Sequence, residues 1–329
     1  MDSQISSIAA PGDVGAARWL GGHRDQVDAE LRKFGAVRLD GFGLDEVSAF
    51  EELAIVSCAE LYRGNPEHTS VSASGNVQTP VPYSARRKLL WHNENTFNDK
   101  WPGRLLFGCA TVPDSGGETP LVDTRIVYRA LPGSIISRFA EFGITYQRTY
   151  GTGVGLTWQQ VFLTEDPAEV EGKCRSADIQ FEWYADQRLR TKQTRPAIVR
   201  HPATGELVWV AQPQHWHPAC LDPQTRDSLL EMLGEDQLPR NCFFGDGARI
   251  ADEAMHDLCA IYRKNEVSFP WQRGSAVLID NLLMAHGRNP YTGPRKILVA
   301  MGQMHLCRTL ADGEQISDLD RRTDDGPVA

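Results

Sequence analysis

A histidine and a glutamate separated by one residue are the first side chains in this sequence whose types and spacing could do chemistry. They are His92 and Glu94, within the segment KLLWHNENTFNDKWP at residues 88–102. In an extended strand, side chains two residues apart point to the same side, so the segment predicts an imidazole and a carboxylate side by side. Such a pair can bind a metal ion, but an HxE triplet also occurs often by chance as a surface feature. The pair alone is therefore a weak indication of a metal site.

A third ligand is available far downstream, in the segment GSAVLIDNLLMAHGRNPYTGPRKILVAM at residues 274–301. A buried strand is predicted over residues 275–280, and a short connection leads from it to His286. The simplest interpretation of His286 is a hydrogen-bonded histidine at the end of a strand. The alternative is a metal ligand that closure of the sheet brings to His92 and Glu94. Two histidines and one carboxylate on one face of an octahedral ion leave three coordination positions open, which is the arrangement of non-haem Fe(II) oxygenases.

An arginine beyond the third histidine could bind an anionic co-substrate. Arg295 lies nine residues after His286, at the start of the next predicted strand. A guanidinium can form two parallel hydrogen bonds with a carboxylate, which suits this role better than the ammonium of the adjacent Lys296. Arg288 is an alternative partner, and Arg295 could also be a surface charge at the edge of a strand.

The elements that must position these side chains are predicted to be many strands with flanking helices. A helix is predicted over Arg24–Phe34, a hairpin over residues 196–212, and strands over residues 267–271 and 297–305. Strands without regular alternation with helices favour an antiparallel β core over a doubly wound parallel sheet. The sequence contains neither GxGxxG nor GxxxxGK[ST], so it lacks both of these nucleotide-binding fingerprints.

Composition excludes several classes of protein. The chain has 329 residues, of which 34 are Lys or Arg and 43 are Asp or Glu, so its net charge is −9. This acidic balance argues against a nucleic-acid partner, because phosphate binding needs a basic surface. Seven scattered cysteines without a CxxC pair argue against a disulfide framework and against a thiolate zinc site, and favour a reducing cytoplasm. We find no secretory signal and no apolar run long enough to span a membrane.

The chain shows no internal repeat and no clear linker, so we expect one main domain. Residues 1–22 are predicted to form a flexible N-terminus, residues 23–310 a single domain, and residues 311–329 a flexible tail.

Four ordered segments give the chain a family resemblance that extends from about Phe34 to Met304. They are WHNENTF (91–97), PDSGGETPLVD (113–123), RPAIVRHPATGE (195–206) and DNLLMAHGRNPYTGPRKILVAM (280–301). With these segments the chain resembles the taurine dioxygenase-like (TauD/TfdA) superfamily of Fe(II)/2-oxoglutarate-dependent oxygenases. Within it, the chain is most similar to the branch of clavaminate synthase and the amino-acid β-hydroxylases. The resemblance implies a mainly β fold with flanking helices around a double-stranded β-helix (jelly-roll, cupin-like) core.

The resemblance also implies a role for individual residues. His92 and Glu94 match the paired metal ligands of the family, and His286 matches its distal histidine. Thr119 matches the hydroxyl that helps to hold 2-oxoglutarate, and Arg295 matches the arginine that pairs with the far carboxylate of that co-substrate. The cofactors implied are Fe(II), 2-oxoglutarate and O2.

Two positions bear on how far the family pattern can be applied to this chain. Some family members have a further arginine where this chain has Tyr291, so the near carboxylate of 2-oxoglutarate would be held differently here. Related halogenases lack the carboxylate ligand, and Glu94 therefore argues for hydroxylation over halogenation. The resemblance implies an amino acid or an amino-acid derivative as substrate, free or tethered to a carrier protein, in secondary metabolism.

Other reactions and other classes of protein are alternatives. The same oxidative chemistry could desaturate, cyclise or epoxidise the substrate. The chain could instead be a catalytically silent oxygenase fold acting as a regulator, or a zinc hydrolase with the same ligands, but the latter leaves Arg295 and the GGET turn unexplained.

Several further residues have a structural and a functional interpretation. His215 and His217 could form a second metal pair, although a position in a loop or at the pocket mouth is the simpler interpretation. The glycine-rich residues 151–155 predict a mobile loop, and Arg195 could bind a substrate carboxylate or brace the hairpin. Core positions are predicted for three aromatic residues, Trp91, Phe97 and Trp101.

Overall fold

The structure is a computed structural model that describes residues 5–63 and 69–310. Its strands are β1 (Ser6–Ala9), β2 (Ala36–Asp40), β3 (Thr69–Ser70), β4 (Gln78–Thr79), β5 (Leu89–His92), β6 (Lys100–Thr111), β7 (Ser115–Gly116), β8 (Leu121–Asp123), β9 (Ile144–Tyr150), β10 (Gln180–Trp183), β11 (Leu189–Arg195), β12 (Ile198–Arg200), β13 (Leu207–Trp209), β14 (Arg240–Phe244), β15 (Ala276–Asp280), β16 (Met284–Arg288), β17 (Tyr291–Thr292) and β18 (Lys296–Leu306).

Its helices are α1 (Ala16–Gly22), α2 (Arg24–Phe34), α3 (Val47–Ser57), α4 (Thr124–Ala130), α5 (Gly133–Phe142), α6 (Trp158–Phe162), α7 (Pro167–Ser176), α8 (Pro223–Leu233), α9 (Asp252–Asn265) and α10 (Cys307–Leu310). Among the described residues, no helix is long and apolar enough to cross a membrane.

The chain forms two compact units. Unit 1 contains the described parts of Met1–Asn95, Lys100–Ile126 and Tyr262–His305, and unit 2 those of Thr96–Asp99, Val127–Ile261 and Leu306–Ala329. Residues 127–261 form sheets and a small core of their own, and the single domain predicted over residues 23–310 stays a prediction.

Unit 1 contains a large and a small sheet. The large sheet has the order β1-β2-β15-β6-β18-β4-β3, the small sheet has the order β5-β16-β8, and β17 pairs with β7. β1 and β2 run parallel, whereas the following pairs run antiparallel: β2-β15, β15-β6, β5-β16, β16-β8, β17-β7, β18-β4 and β3-β4. Phe107 of β6 packs against the ring of His286 on β16, with 5.0 Å between the ring centroids, so the two sheets of this unit contact each other beside a predicted ligand.

The helices of unit 1 cover one part of its core. α2 follows the prediction, with Val27 and Leu31 buried on one face and the left-handed Gly35 at its C-terminal end. These apolar side chains join a cluster that includes Leu278 of β15 and Phe50 of α3. Burial of such side chains contributes roughly 1.5–3 kcal/mol each, so this cluster is a large part of what holds the large sheet in place.

Part of the N-terminal segment differs from the flexible one predicted over residues 1–22. Ser6–Ala9 form β1, and Ala16–Gly22 form α1. Trp19 and Leu20 are buried and anchor this segment, an effect that the surrounding small and polar residues concealed in the sequence. Residues 1–4 and the predicted flexible tail at residues 311–329 lie outside the described residues.

Unit 2 contains an antiparallel sheet with the order β10-β11-β9-β14 and the hairpin β12-β13. The hairpin predicted over residues 196–212 is confirmed. The strand predicted over residues 267–271 is wrong, because this segment makes only an isolated bridge through Val267.

Candidate metal and co-substrate site

Three ligand-type side chains converge in unit 1. The Nε2 atom of His92 lies 3.9 Å from Oε2 of Glu94, and Nε2 of His286 lies 3.8 Å from the same oxygen. The possible ligand atoms of the three residues all lie within 4.8 Å of one another. His286 is buried, and the other two side chains are about 15% exposed, so the three side chains are largely shielded from water.

The two histidines come from neighbouring strands of the small sheet. His286 of β16 is the partner of His92 of β5 in the antiparallel register, and an irregularity of the ladder follows between His286 and Arg288. Such irregularities re-aim side chains and are common beside active sites. The rings lie 4.4 Å apart between centroids, so pairing of the strands brings the two imidazoles together.

A hydrogen bond sets the tautomer of the first histidine. The Nδ1 atom of His92 lies 3.0 Å from the carbonyl oxygen of Leu90. Because a carbonyl can only accept, Nδ1 must carry the proton and Nε2 keeps its lone pair. The ligand atom of His92 is therefore the nitrogen that faces Glu94, and a bond of this kind is the usual support of a metal-binding histidine.

Glu94 reaches the site from a turn and not from a strand. β5 ends at His92, and Glu94 begins a turn in which Asn95 has a left-handed φ of 61°. The side chain of Asn281 holds this turn, since its Oδ1 accepts the amide of Glu94 at 2.7 Å and its Nδ2 donates to the carbonyls of Glu94 and Pro102 at 3.1 and 2.8 Å. The predicted proximity of His92 and Glu94 is thus present, but the extended strand expected to produce it is not.

The donor set fits a divalent transition metal. Two imidazole nitrogens and one carboxylate oxygen suit Fe(II) and occupy one face of its octahedral shell, which leaves three positions for other ligands. Within residues 5–63 and 69–310, the group His92, Glu94 and His286 is the one set of three histidine, cysteine or acidic side chains that could hold a metal ion.

Arg295 lies in the same unit, at the position just before β18. It is partly buried, and its Nε donates to the carbonyl oxygen of Gly117 at 3.0 Å. In the described part of the chain, no carboxylate lies within ion-pair distance of its guanidinium. Burial and, to a smaller extent, the nearby charge of Arg288 together lower the pKa of Arg295 to about 10, so the side chain keeps its charge at neutral pH. A buried cation of this kind can bind an anionic ligand.

The turn at Gly117 leaves space for the side chain of Arg295, because glycine has no side chain of its own. Gly117 has a φ of 76°, and a Cβ atom at this position would lie 3.1 Å from both Cδ and Nε of Arg295 and 2.9 Å from Cγ of Pro113. Both the backbone conformation and the lack of space therefore require glycine.

Thr119 lies two residues after this turn and is 4% exposed. Its Oγ1 lies 3.3 Å from Nε1 of Trp271, which donates to it. The sequence did not indicate that Trp271 contacts Thr119, because the two residues are 152 positions apart. Trp271 also lies in residues 267–271, which the sequence predicts to be an ordinary strand.

Arg288, the alternative partner for a co-substrate, binds backbone carbonyl groups of the protein. Its guanidinium donates to the backbone carbonyls of Tyr83, Ser84 and Arg87 at 3.2, 2.6 and 2.6 Å, and it lies over the ring of Tyr291 at 5.0 Å. The side chain is 8% exposed and holds the segment before β5 against the end of β16.

The remaining candidates have structural contacts. In unit 2, Nδ1 of His217 accepts the amide of Ala219 and Nε2 lies 3.1 Å from the carbonyl of Ile250, so both nitrogens are engaged and a metal pair with His215 is not formed. Burial lowers the pKa of His217, which keeps the ring neutral.

Arg195, also in unit 2, acts as a brace. It is 3% exposed and donates to the carbonyls of Asn98, Ala177 and Thr194. Trp91 and Trp101 are buried as predicted. The glycines of residues 151–155 have positive φ angles, and the mobility of this loop stays a prediction.

The chain is similar to a known family and to individual proteins over most of its length. The profile of the "Taurine catabolism dioxygenase TauD, TfdA family" matches residues 4–301. The dapdiamide synthesis protein DdaC of Enterobacter agglomerans is 36% identical over 277 residues, which cover 84% of this chain and 84% of that protein. A clavaminate synthase-like protein of Arabidopsis thaliana is 28% identical over 298 residues, which cover 84% of this chain and 83% of that protein.

Solved structures share the fold at low identity. A taurine dioxygenase from Burkholderia xenovorans superposes with a TM-score of 0.52 at 16% identity, over 91% of this chain and 86% of that one. AAD-2 in complex with Mn(II) and N-oxalylglycine superposes with a TM-score of 0.52 at 13% identity, over 92% of this chain and 94% of that one. The mainly β, cupin-like fold with flanking helices that the sequence predicted is thereby confirmed.

Proposed function

Because the chain belongs to the TauD, TfdA family of dioxygenases, we propose that it hydroxylates an unactivated C–H bond of an amino acid or of a molecule derived from one. It is a non-haem Fe(II)- and 2-oxoglutarate-dependent dioxygenase, and its cofactors are Fe(II), 2-oxoglutarate and O2. The observation that carries the proposal is the convergence of two imidazole nitrogens and one carboxylate oxygen within 4.8 Å.

In this proposal, His92, Glu94 and His286 hold the iron. When bound, Fe(II) together with 2-oxoglutarate and O2 supplies the oxidant that removes hydrogen from carbon. In the overall reaction, substrate R–H, 2-oxoglutarate and O2 become R–OH, succinate and CO2. The protein's part is to keep the three ligands on one face, since the other positions must stay open for co-substrate and O2.

Arg295 and Thr119 are proposed to hold the far carboxylate of 2-oxoglutarate. The guanidinium supplies a buried positive charge that no described acidic side chain neutralises by an ion pair, and a charge-assisted hydrogen bond to a carboxylate is roughly twice as strong as a neutral one. The Thr119 hydroxyl lies two residues from the carbonyl that fixes Nε of Arg295, so one short segment of chain supports both groups.

The substrate class rests on the relatives. One is named for dapdiamide synthesis and another for its likeness to clavaminate synthase, and both names suggest secondary metabolism of amino-acid-like molecules. We propose such a substrate, either free or presented on a carrier protein. Desaturation, cyclisation and epoxidation begin from the same hydrogen-removing or oxygen-transferring chemistry, and are alternative outcomes for the same site.

We also infer that the enzyme works in the cytoplasm. Each of the seven cysteines is a free thiol, and six of them are buried, which fits a reducing compartment. Cell fractionation that recovers the protein outside the cytoplasm would contradict this inference.

The test of the function combines binding with turnover. Anaerobic protein with Fe(II) and 2-oxoglutarate should give a visible charge-transfer band, which the correct substrate should shift. With O2 and a panel of amino acids and their carrier-protein thioesters, one substrate should give succinate and hydroxylated product in equal amounts. Wild-type protein that forms neither the band nor succinate with any member of the panel would contradict the proposal.

A further inference from the structure

Trp271 is a buried side chain next to the proposed co-substrate site that has no part in the roles assigned above. It lies in the connection between α9 and β15, is 5% exposed, and packs edge-on against Phe269 with 5.6 Å between the ring centroids. Its single polar atom, Nε1, lies 3.3 Å from Oγ1 of Thr119. The indole therefore touches the hydroxyl that is proposed to bind 2-oxoglutarate.

The chemistry of the two groups fixes the direction of this hydrogen bond. An indole nitrogen can only donate, whereas a threonine hydroxyl can donate one hydrogen bond and accept two. Oγ1 of Thr119 must therefore accept from Trp271, and its own proton must point elsewhere. The indole is the one partner that the described residues give to this hydroxyl, and at 4% exposure bulk water has little access to it.

A buried donor without an acceptor costs free energy, so this O–H group favours a ligand that can accept. A carboxylate is such a ligand, because its oxygens accept and do not donate. Arg295, held by the carbonyl of Gly117 two residues before Thr119, supplies the charge that a carboxylate needs. An unrestrained hydroxyl could instead turn its lone pairs toward the ligand, which would repel a carboxylate.

We propose that Trp271 is a positioning residue for 2-oxoglutarate, because its indole N–H orients the Thr119 hydroxyl as a donor to the co-substrate carboxylate. This inference rests on the proposed function of Thr119 and Arg295, and adds a residue that sets the affinity for the co-substrate. In this proposal, Trp271 acts through the hydroxyl and binds neither the metal nor the substrate.

The decisive measurement is the affinity for 2-oxoglutarate in four proteins: wild type, Trp271→Phe, Thr119→Val, and the double variant. Affinity is measured by calorimetry on protein loaded with Mn(II) without O2, and KM and kcat are measured on protein with Fe(II). Trp271→Phe should weaken binding about three- to tenfold, in line with the net worth of one hydrogen bond, and should raise KM with little change in kcat. Thr119→Val should weaken binding at least as much.

The double variant separates positioning from packing. If the indole acts through the hydroxyl, Trp271→Phe should have little further effect once Thr119→Val is present, because the two losses are coupled. Thr119→Ser keeps the hydroxyl and should retain the sensitivity to Trp271→Phe. Trp91→Phe is the matched control, since it removes another buried indole N–H of unit 1, the one that donates to Oε2 of Glu266 at 2.9 Å. That variant should lose stability without weakening 2-oxoglutarate binding as Trp271→Phe does.

If Trp271→Phe does not fold, a side chain with the same shape as tryptophan can be used at position 271. Incorporation of 3-benzothienylalanine at position 271 exchanges the N–H for sulfur, keeps the bicyclic ring, and should weaken binding as Trp271→Phe does. Unchanged affinity in the folded variant at position 271, or additive effects in the double variant, would overturn the role of Trp271 alone. Unchanged affinity in Thr119→Val would overturn both this role and that of Thr119, whereas absent binding in the wild type would overturn the proposed function itself.

Discussion

His92 and His286 are direct partners across the antiparallel pair β5-β16, and their rings lie 4.4 Å apart between centroids. The two histidines of the proposed metal site are therefore brought together by the register of the small sheet. Because side chains alternate along a strand, a slip by one residue would turn one of the two imidazoles to the opposite face. Formation of this strand pair therefore brings the two proposed histidine ligands together, whereas Glu94 depends on the turn that follows β5.

Replacing His286 with alanine should abolish turnover. It removes one of the three donors, and loss of even an outer partner of a metal ligand typically costs about 10–100-fold in affinity, so Fe(II) binding should weaken by at least that factor. The measurement is Fe(II) affinity without O2, together with succinate release. His23→Ala, at the end of α1, is the control and should bind Fe(II) as the wild type does. Retained succinate release in His286→Ala would refute the ligand assignment.

Replacing Asn281 with alanine should weaken Fe(II) binding by about 10–100-fold, although this residue is not a ligand. Its side chain holds the turn that presents Glu94, by one accepted and one donated hydrogen bond to the backbone of that residue. The loss should also lower the free energy of unfolding by roughly 1–3 kcal/mol, because it leaves buried backbone groups without their partner.

The control for Asn281→Ala is Asn289→Ala. Asn289 lies in the same unit, and its side-chain amide donates to Oε2 of Glu118 at 3.0 Å and not to the backbone of a proposed metal ligand. Calorimetry with Fe(II) and chemical denaturation measure the two effects separately. Equal Fe(II) affinity in Asn281→Ala and the wild type would show that the turn holds Glu94 without the amide.

Much of the fold could be predicted from the sequence, and so could the three candidate ligands that the structure brings together. The apolar period of α2 and the glycine that follows it predicted the bounds of that helix, and the segment around His286 predicted the third candidate ligand. Composition alone did not predict β1 and α1. There, a few apolar residues such as Leu20 anchor a segment whose other residues are mostly small and polar.

The contacts that support the proposed ligands could not be predicted from the sequence, because they join residues that are far apart in the chain. Asn281 and Glu94 are separated by 187 positions, and Trp271 and Thr119 by 152. The spacing of His92 and Glu94 suggested an extended strand, whereas the structure brings them together through a turn. A short spacing predicts that two side chains can meet, but several backbone conformations satisfy it.

Replacing Gly117 with alanine should weaken 2-oxoglutarate binding and destabilise the protein. The positive φ of 76° disfavours any side chain by roughly 1–2 kcal/mol, and the new methyl group would press on the stem of Arg295 at 3.1 Å. We expect KM for 2-oxoglutarate to rise about tenfold, since one misplaced charged hydrogen bond is worth roughly 1.5–3 kcal/mol. Gly172→Ala in α7 is the control, because its Cβ would meet open space at an ordinary φ. An unchanged KM in Gly117→Ala would contradict the proposed position of the co-substrate carboxylate.

Replacing Arg295 should act on co-substrate binding, in a manner that depends on pH. Arg295→Ala removes the charge and should raise KM for 2-oxoglutarate at every pH. Burial lowers the pKa of Arg295 to about 10, below its ordinary value, so the wild-type side chain stays charged through pH 9 and its contribution to affinity should be flat from pH 6.5 to 9. A lysine starts from a lower ordinary pKa than arginine, and the same burial should move it toward neutrality.

Arg295→Lys should therefore bind 2-oxoglutarate best at low pH and lose affinity as pH rises, because the deprotonated amine carries no charge for the carboxylate. Calorimetry with Mn(II)-loaded protein at several pH values measures this directly, and comparison with wild type removes the titration of groups common to both. Arg295→Met keeps the apolar stem without charge, so it should bind weakly and without the additional pH dependence. If Arg295→Ala keeps the wild-type KM, or if Arg295→Lys follows the flat wild-type profile, then this guanidinium does not hold the co-substrate carboxylate.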